Sequence, residues 1–208
     1  MTTVTDLIAN FGDVIQLKDQ HFDLPKMRAI LDNSPHWAPY NPRKPIARFG
    51  LSLTSADGGY SGIPDLDSLR EYNILNGTDY SEKSFRKRTP IVDELGLTNF
   101  LDLWDPWLGR VHVLRLDAGG FFPPHRDNGL VIPPNTVRIL VPIRWEQNNS
   151  VWIQDGKLLN LVEGVAYFVN TTKEHSVFSF KDNTLLLVLN VIVTSETIFN
   201  VASNANIL

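Results

Sequence analysis

Hydrophobic and polar positions along this chain follow two different periods, and the change falls near residue 108. Before it, apolar residues recur at helical spacing. In "DLPKMRAILDN" (23–33) an Asp stands at the cap position, Pro25 falls in the first turn, and Met27, Ile30 and Leu31 share one face. "IPDLDSLREYNIL" (63–75) and "RTPIVDELGLTNFLDLW" (88–104) read the same way and predict two more helices. Between the first two segments, "ARFGLSLTS" (47–55) alternates with the two-residue period of a strand.

From residue 109 the period of two takes over. "RVHVLRLDA", "TVRILVPIRW", "SVWIQD", "KLLNLV", "GVAYFVN", "HSVFSF" and "TLLLVLNVIV" are short β-branched or aromatic runs separated by Gly, Pro, Asn and Asp. "QDGK" (154–157) places Asp-Gly at the centre of a hairpin turn. Seven or eight such strands in under ninety residues, with no helical pattern among them, predict a barrel or a cupin-like jelly roll. The expected fold class is therefore α+β. Residues 1–108 form a flank of helices and strands, 109–195 the β core and 196–208 a tail, all within a single domain of 208 residues.

Composition narrows the chemistry. Hydrophobic residues make up 43% and charged residues 20%, enough apolar material for a sizeable core. The net charge of −4 carries no basic footprint for nucleic acid, and the one basic cluster, "RKR" (86–88), reads as a solvated face. There is no cysteine, so disulfides, zinc–thiolate sites and cysteine nucleophiles are excluded; any metal must be held by His and carboxylate. The first residues, "MTTVTDLIANFGDVIQL", lack the basic and apolar regions of a signal peptide. The longest apolar run, "LLLVLNVIV" (185–193), is too short to span a bilayer. The expectation is a cytoplasmic protein with neither a membrane nor a nucleic-acid partner.

One stretch concentrates candidate chemistry: "GGFFPPHRDNG" (119–129). Its His125-Arg126-Asp127 spells the catalytic loop of a protein kinase, but that loop needs Asn five residues after the Asp, where Ile132 stands; a D-F-G and a glycine-rich loop are also lacking. The same residues spell H-x-D, which at the end of a strand sends an imidazole and a carboxylate the same way and supplies two ligands of a facial triad. A plain surface turn capped by Asp127 is the structural alternative. A triad needs a second imidazole from a distant strand, and the five histidines are His21, His36, His112, His125 and His175. His175 is the natural candidate, because it opens a strand in "NTTKEHSVFSF" behind a polar turn. His112 reads as an ordinary strand position, and His21 and His36 lie in the flank without a carboxylate or second imidazole at ligand spacing. Pro123 and Pro124 stiffen the approach to His125.

The pattern "PPHRDNG … VRILVPI … EGVAYFVNTTKEHSVFSFKDNTLLLVLNV" resembles the double-stranded β-helix core of Fe(II)/2-oxoglutarate-dependent dioxygenases over about residues 109–195. It is closest to the free-amino-acid proline hydroxylases and the aspartyl/asparaginyl β-hydroxylases. The resemblance implies that His125, Asp127 and His175 are catalytic metal ligands. It implies Fe(II) and 2-oxoglutarate as cofactors, O2 as a further reactant, and a small-molecule or peptidyl amino acid hydroxylated at an unactivated C–H. It retains the carboxylate ligand, Asp127, that the aspartyl hydroxylases often lack.

That family normally places an Arg for the far carboxylate of 2-oxoglutarate about ten residues after the distal His. Here the position is Leu185, and "DNTLLLVLNV" holds neither Arg nor Lys. Substitutes are Arg138, Arg144 (same strand parity as Arg138) and Lys181, with Asn183 or Thr184 as polar partners. Arg48 is a candidate for a substrate carboxylate, set against a structural role, and "IPDLDSL", "ARFGLSL" and "NGLVIPPN" (128–135) are candidates to cover the mouth. The vacant Arg position keeps two alternatives: a cupin-type metal enzyme that does not use 2-oxoglutarate, and a non-catalytic binding domain on the same scaffold.

Overall fold

The computed structural model describes residues 12–18, 20–127 and 136–206. The flank opens with strand β1 (Val14–Gln16) and helix α1 (Leu24–Asn33). The Asp23 carboxylate accepts the Lys26 amide at 3.1 Å, and Met27 and Leu31 are buried, as the helical spacing predicts. Strands β2 (Ala38–Pro39), β3 (Arg48–Ser52) and β4 (Thr54–Ser55) follow, so the stretch 47–55 forms two strands instead of one. The second helix, α2 (Leu69–Asn76), starts six residues later than its pattern. Ser68 accepts the Glu71 amide and caps it, after turns around Asp65 and Asp67. Beyond strand β5 (Lys87–Arg88), the segment 88–104 divides into α3 (Ile91–Glu94) and α4 (Thr98–Asp102). Gly96 stands between them at φ +69°, a left-handed conformation that ends α3.

The core is built from eight antiparallel strands: β6 (Leu108–Leu116), β7 (Phe121–His125), β8 (Thr136–Arg144), β9 (Ser150–Gln154), β10 (Lys157–Leu159), β11 (Tyr167–Val169), β12 (His175–Ser179) and β13 (Thr184–Ile192). They pair as a folded ribbon: β6 with β13, β7 with β12, β8 with β11 and β9 with β10. Apart from the β9–β10 hairpin, successive strands therefore alternate between two sheets, which is the jelly-roll or double-stranded β-helix topology. The larger sheet runs β1-β11-β8-β13-β6-β3-β2 and the smaller β10-β9-β12-β7. Flank strands β1, β3 and β2 thus extend the larger sheet. At the β9–β10 turn Asp155 (φ 48°) and Gly156 (φ 76°) both adopt the positive φ that a tight hairpin requires.

The larger sheet is buried on both faces, which explains why "TLLLVLNVIV" is apolar almost throughout. Leu185, Leu187, Leu189 and Val191 of β13 face a core shared with Met27, Leu31, Ile91, Val92, Leu101 and Trp104 of the flank. Leu186 and Val188 face the barrel interior with Leu114, Leu116, Leu140, Trp152 and Val177. The tail folds as a helix: α5 (Ser195–Asn204) is capped by Thr194 and buries Ile198 and Val201. No helix among the described residues is long and apolar enough to cross a membrane.

Candidate metal centre and its cavity

Strand β7 ends at His125 and β12 begins at His175, and the antiparallel register sets these two residues opposite each other. A cross-strand pair brings side chains of one face together, and the two imidazole centres lie 4.2 Å apart. Asp127 lies two residues beyond the first imidazole, its amide donating to the Thr171 carbonyl at 2.8 Å. Its Oδ1 is 3.6 Å from His125 Nε2 and its Oδ2 3.8 Å from His175 Nε2. One ligand atom from each of the three residues falls within 4.8 Å of the others. His125 Nδ1 lies 2.7 Å from the Pro123 carbonyl and His175 Nδ1 3.0 Å from the Lys173 carbonyl. A carbonyl only accepts, so each Nδ1 carries a proton, and in the neutral ring this tautomer leaves the lone pair on Nε2, the nitrogen nearer Asp127.

The local charges favour the same state. Burial would raise the Asp127 carboxyl, but Arg138, through its charge and an Nε–H bond of 2.7 Å, holds it down at about 2. Burial pushes the His175 imidazole down to about 4, against the pull of Asp127. One carboxylate and a neutral, lone-pair-bearing imidazole are the ionisation states that a divalent cation requires of its ligands. Trp152 lies parallel to His175, with ring centres 5.6 Å apart, and fixes its plane.

The cluster opens into a cavity of about 560 Å³. Part of its lining is apolar (Leu114, Leu140, Val177, Leu186, Val188), and its polar lining includes Tyr40, Arg48, Glu82, Arg110, His112, Arg138 and Asn190. Glu82 reaches it from a 3-10 turn of the flank and bonds Arg110 Nη2 at 2.7 Å and Asn190 Nδ2 at 3.1 Å. Gly109 makes this approach possible, since a Cβ there would stand 2.7 Å from Glu82 Oε2. His112 is a strand position of β6, as the pattern predicts, and it lines the cavity together with Arg110 and Leu114. It lies against Tyr40, and its buried Nδ1 has no hydrogen-bond partner among the described residues. Burial, with Arg138 and Arg110 nearby, lowers its pKa well below 6.5.

No protein-family model matches the chain, and no curated protein matches it. Solved structures that it resembles include a Pseudomonas putida prolyl-4-hydroxylase (16% identity, TM-score 0.49), covering 92% of this chain and 98% of that one. They also include an oxidoreductase of the 2OG-Fe(II) oxygenase family from Burkholderia pseudomallei (15% identity, TM-score 0.48; 91% and 90%). A third is KdgF from Halomonas sp. (15% identity, TM-score 0.33; 44% and 74%). The likeness is one of fold.

The cations proposed from the sequence for the far carboxylate part company in space. Arg138 lines the cavity, bound to Asp127. Arg144 does not: a register irregularity between β13 and β8, where Ile143 of β8 is skipped, sets Arg144 opposite Leu185, whose side chain faces the flank. An extra residue in one strand reverses which face the following side chains take, so the parity that Arg144 shares with Arg138 in sequence is lost. Both its terminal nitrogens grip Asp32 of α1, at 2.8 and 3.0 Å. Lys181 is exposed and pairs with Glu146 at 2.5 Å. Leu185 itself is fully buried on the helix side of the sheet. The inward positions of β13 are Thr184, Leu186, Val188 and Asn190, without a cation. Residues 128–135, a candidate in sequence to cover the mouth, lie outside the described residues.

Proposed function

We propose that this chain is an Fe(II)/2-oxoglutarate-dependent dioxygenase that hydroxylates an unactivated C–H of an amino acid, free or peptidyl. The observation that carries the reading is the convergence of His125, Asp127 and His175 on the cavity, with their donor atoms within 4.8 Å of one another. Two imidazoles and one carboxylate suit Fe(II) and leave coordination positions for other ligands. The residues fit the metal: both Nδ1 atoms are tied to carbonyls, and Asp127 is ionised. Bound Fe(II) and 2-oxoglutarate would supply the oxidising power, one oxygen of O2 entering the substrate as hydroxyl and the other entering succinate as 2-oxoglutarate loses CO2.

The chain's own contribution is positional. His125, Asp127 and His175 hold the metal on one side. Trp152 and the Pro123 and Lys173 carbonyls keep the imidazoles in place. Leu114, Leu140, Val177, Leu186 and Val188 exclude water from their part of the cavity. Arg138 orients Asp127 and presents the rest of its guanidinium to the cavity, where a co-substrate carboxylate can meet it.

Fe(II)-loaded protein incubated with O2, 2-oxoglutarate and a panel of free amino acids and peptides is expected to release succinate in step with hydroxylated product. Absence of 2-oxoglutarate turnover with every member of the panel would sink the reading. His125→Ala and His175→Ala are each expected to lose metal binding in calorimetric titration; retention at the parent's affinity in both would remove the triad. A second reading, metal chemistry without 2-oxoglutarate, is favoured by the absence of a cation from the inward positions of β13. The anaerobic spectrum of the Fe(II)-loaded protein separates the two: 2-oxoglutarate chelates the metal in the first and leaves it unchanged in the second.

A further inference from the structure

We propose that Arg48, on a strand outside the eight-stranded jelly roll, is, in addition to Arg138, a carboxylate-docking residue of this cavity. Its guanidinium binds an acid group of a ligand that lies alongside the His125–Asp127–His175 cluster. The proposal rests on the reading above for the ligand's setting.

Five arginines line the cavity; Arg70 and Arg126 are solvent-exposed, and of the three that are not, two already have carboxylates. Arg110 is bound to Glu82, and Arg138 to Asp127. Arg48 is only 3% exposed, yet no carboxylate lies within 4.0 Å of it among the described residues. Its polar contacts are two backbone carbonyls, Nε to Tyr40 at 3.3 Å and Nη1 to Phe121 at 3.2 Å, both longer than a charge-assisted bond prefers. Nη2 donates to nothing among the described residues. Burial lowers the pKa of Arg48, whereas Arg110 and Arg138 are raised by their partners in spite of burial. A buried cation without an anion is costly, and a bound carboxylate offsets that cost.

Geometry specifies where the carboxylate lies. The register of β3 on β6 sets Arg48 opposite Leu116, on the inward face. The guanidinium carbon stands 4.3 Å from the centre of the Phe122 ring, which in turn lies 6.2 Å from the His125 ring. One phenyl ring therefore separates the unpaired cation from the metal cluster, and an elongated acid along that ring reaches both. The unpartnered Nδ1 of His112, across Tyr40 from Phe122, is a second polar group that a bound ligand can satisfy. The planar fork of Arg grips a carboxylate bidentately, which a lysine cannot do.

The acid group belongs either to 2-oxoglutarate or to the amino-acid substrate, and Arg48→Met distinguishes them. Calorimetric titrations use metal-loaded, anaerobic protein with 2-oxoglutarate, with 2-oxovalerate (which lacks the far carboxylate), and with L-proline and L-asparagine added in the presence of 2-oxoglutarate. Loss of a charge-assisted pair corresponds to roughly a 10- to 100-fold weakening. That loss for 2-oxoglutarate, with 2-oxovalerate unaffected, assigns Arg48 to the co-substrate. The same loss confined to the amino acids assigns it to the substrate. Unchanged affinity for all probes overturns the proposal. Metal affinity remains at the parent value in either supported case. If the parent binds metal but not 2-oxoglutarate, the dioxygenase reading fails, and succinate and glutarate become the probes: binding weakened by Arg48→Met still supports docking, and no Arg48-dependent binding overturns it. Should Arg48→Met not fold, Arg48→Lys, which keeps the charge and loses the fork, is measured in its place, with at least a severalfold loss expected and no loss overturning the proposal.

Discussion

At the scale of single residues, ionisation at the cavity follows from which charges are paired. His112 is buried beside Arg110 and Arg138, against the Tyr40 ring and opposite Ser52 of β3, so its neutral form is held in the folded state. The unfolded chain protonates the same imidazole near pH 6.5. A folded pKa lowered below the unfolded one contributes stability above pH 6.5 that is lost as pH falls below it. The slope is up to about 1.4 kcal/mol per pH unit for one proton. His112→Gln is therefore expected to flatten the dependence of the urea midpoint on pH between neutrality and mild acid. His175 has the same sign but is common to both proteins, so the difference in slope isolates His112; identical slopes would show that His112 titrates normally.

At the scale of elements, what matters is how pieces of the flank are tied to the barrel. The 3-10 turn Glu82–Ser84 delivers one buried carboxylate to β6 and β13 together, through Arg110 and Asn190. Coulombic attraction to Arg110, and hydrogen bonds to it, lower the Glu82 pKa against its own burial. Glu82→Gln leaves a buried guanidinium without its anion, and roughly 3–5 kcal/mol of stability is expected to go with it. Simultaneous replacement by Glu82→Gln and Arg110→Met is expected to recover part of that loss in a urea titration. A smaller effect suits the cap of α1: Asp23→Ala is expected to cost about 1 kcal/mol by the same measurement, since one amide loses its acceptor.

For the whole molecule, stability resides in the larger sheet, which carries two hydrophobic cores on its opposite faces. Leu187 lies at its centre, fully buried against the flank. Leu187→Ala is expected to destabilise the protein by roughly 2–5 kcal/mol. Metal affinity per folded molecule should change little, because this side chain faces away from the cavity. Loss of metal binding in the folded variant would show that the two faces are coupled.

The sequence alone carried the strand-rich core, the candidate triad and the absence of thiol chemistry, because period, motif and composition are local properties. His125 and Asp127 need only the alternation of one strand end, and His175 needs only a later strand opening behind a polar turn. The helical tail carried its own local signal, Thr194 ahead of Ile198 and Val201. Tertiary structure decided which positions face inward. Alternation gives each strand's relative parity, whereas the absolute face and any break in it depend on partner strands. That is why Leu185 and Arg144 turn to the helices and His112 turns to the cavity. It also decided which charges are already satisfied. Arg48, Arg110 and Arg138 are alike in sequence, and only the fold gives carboxylates to two of them and leaves the third buried against aromatic rings.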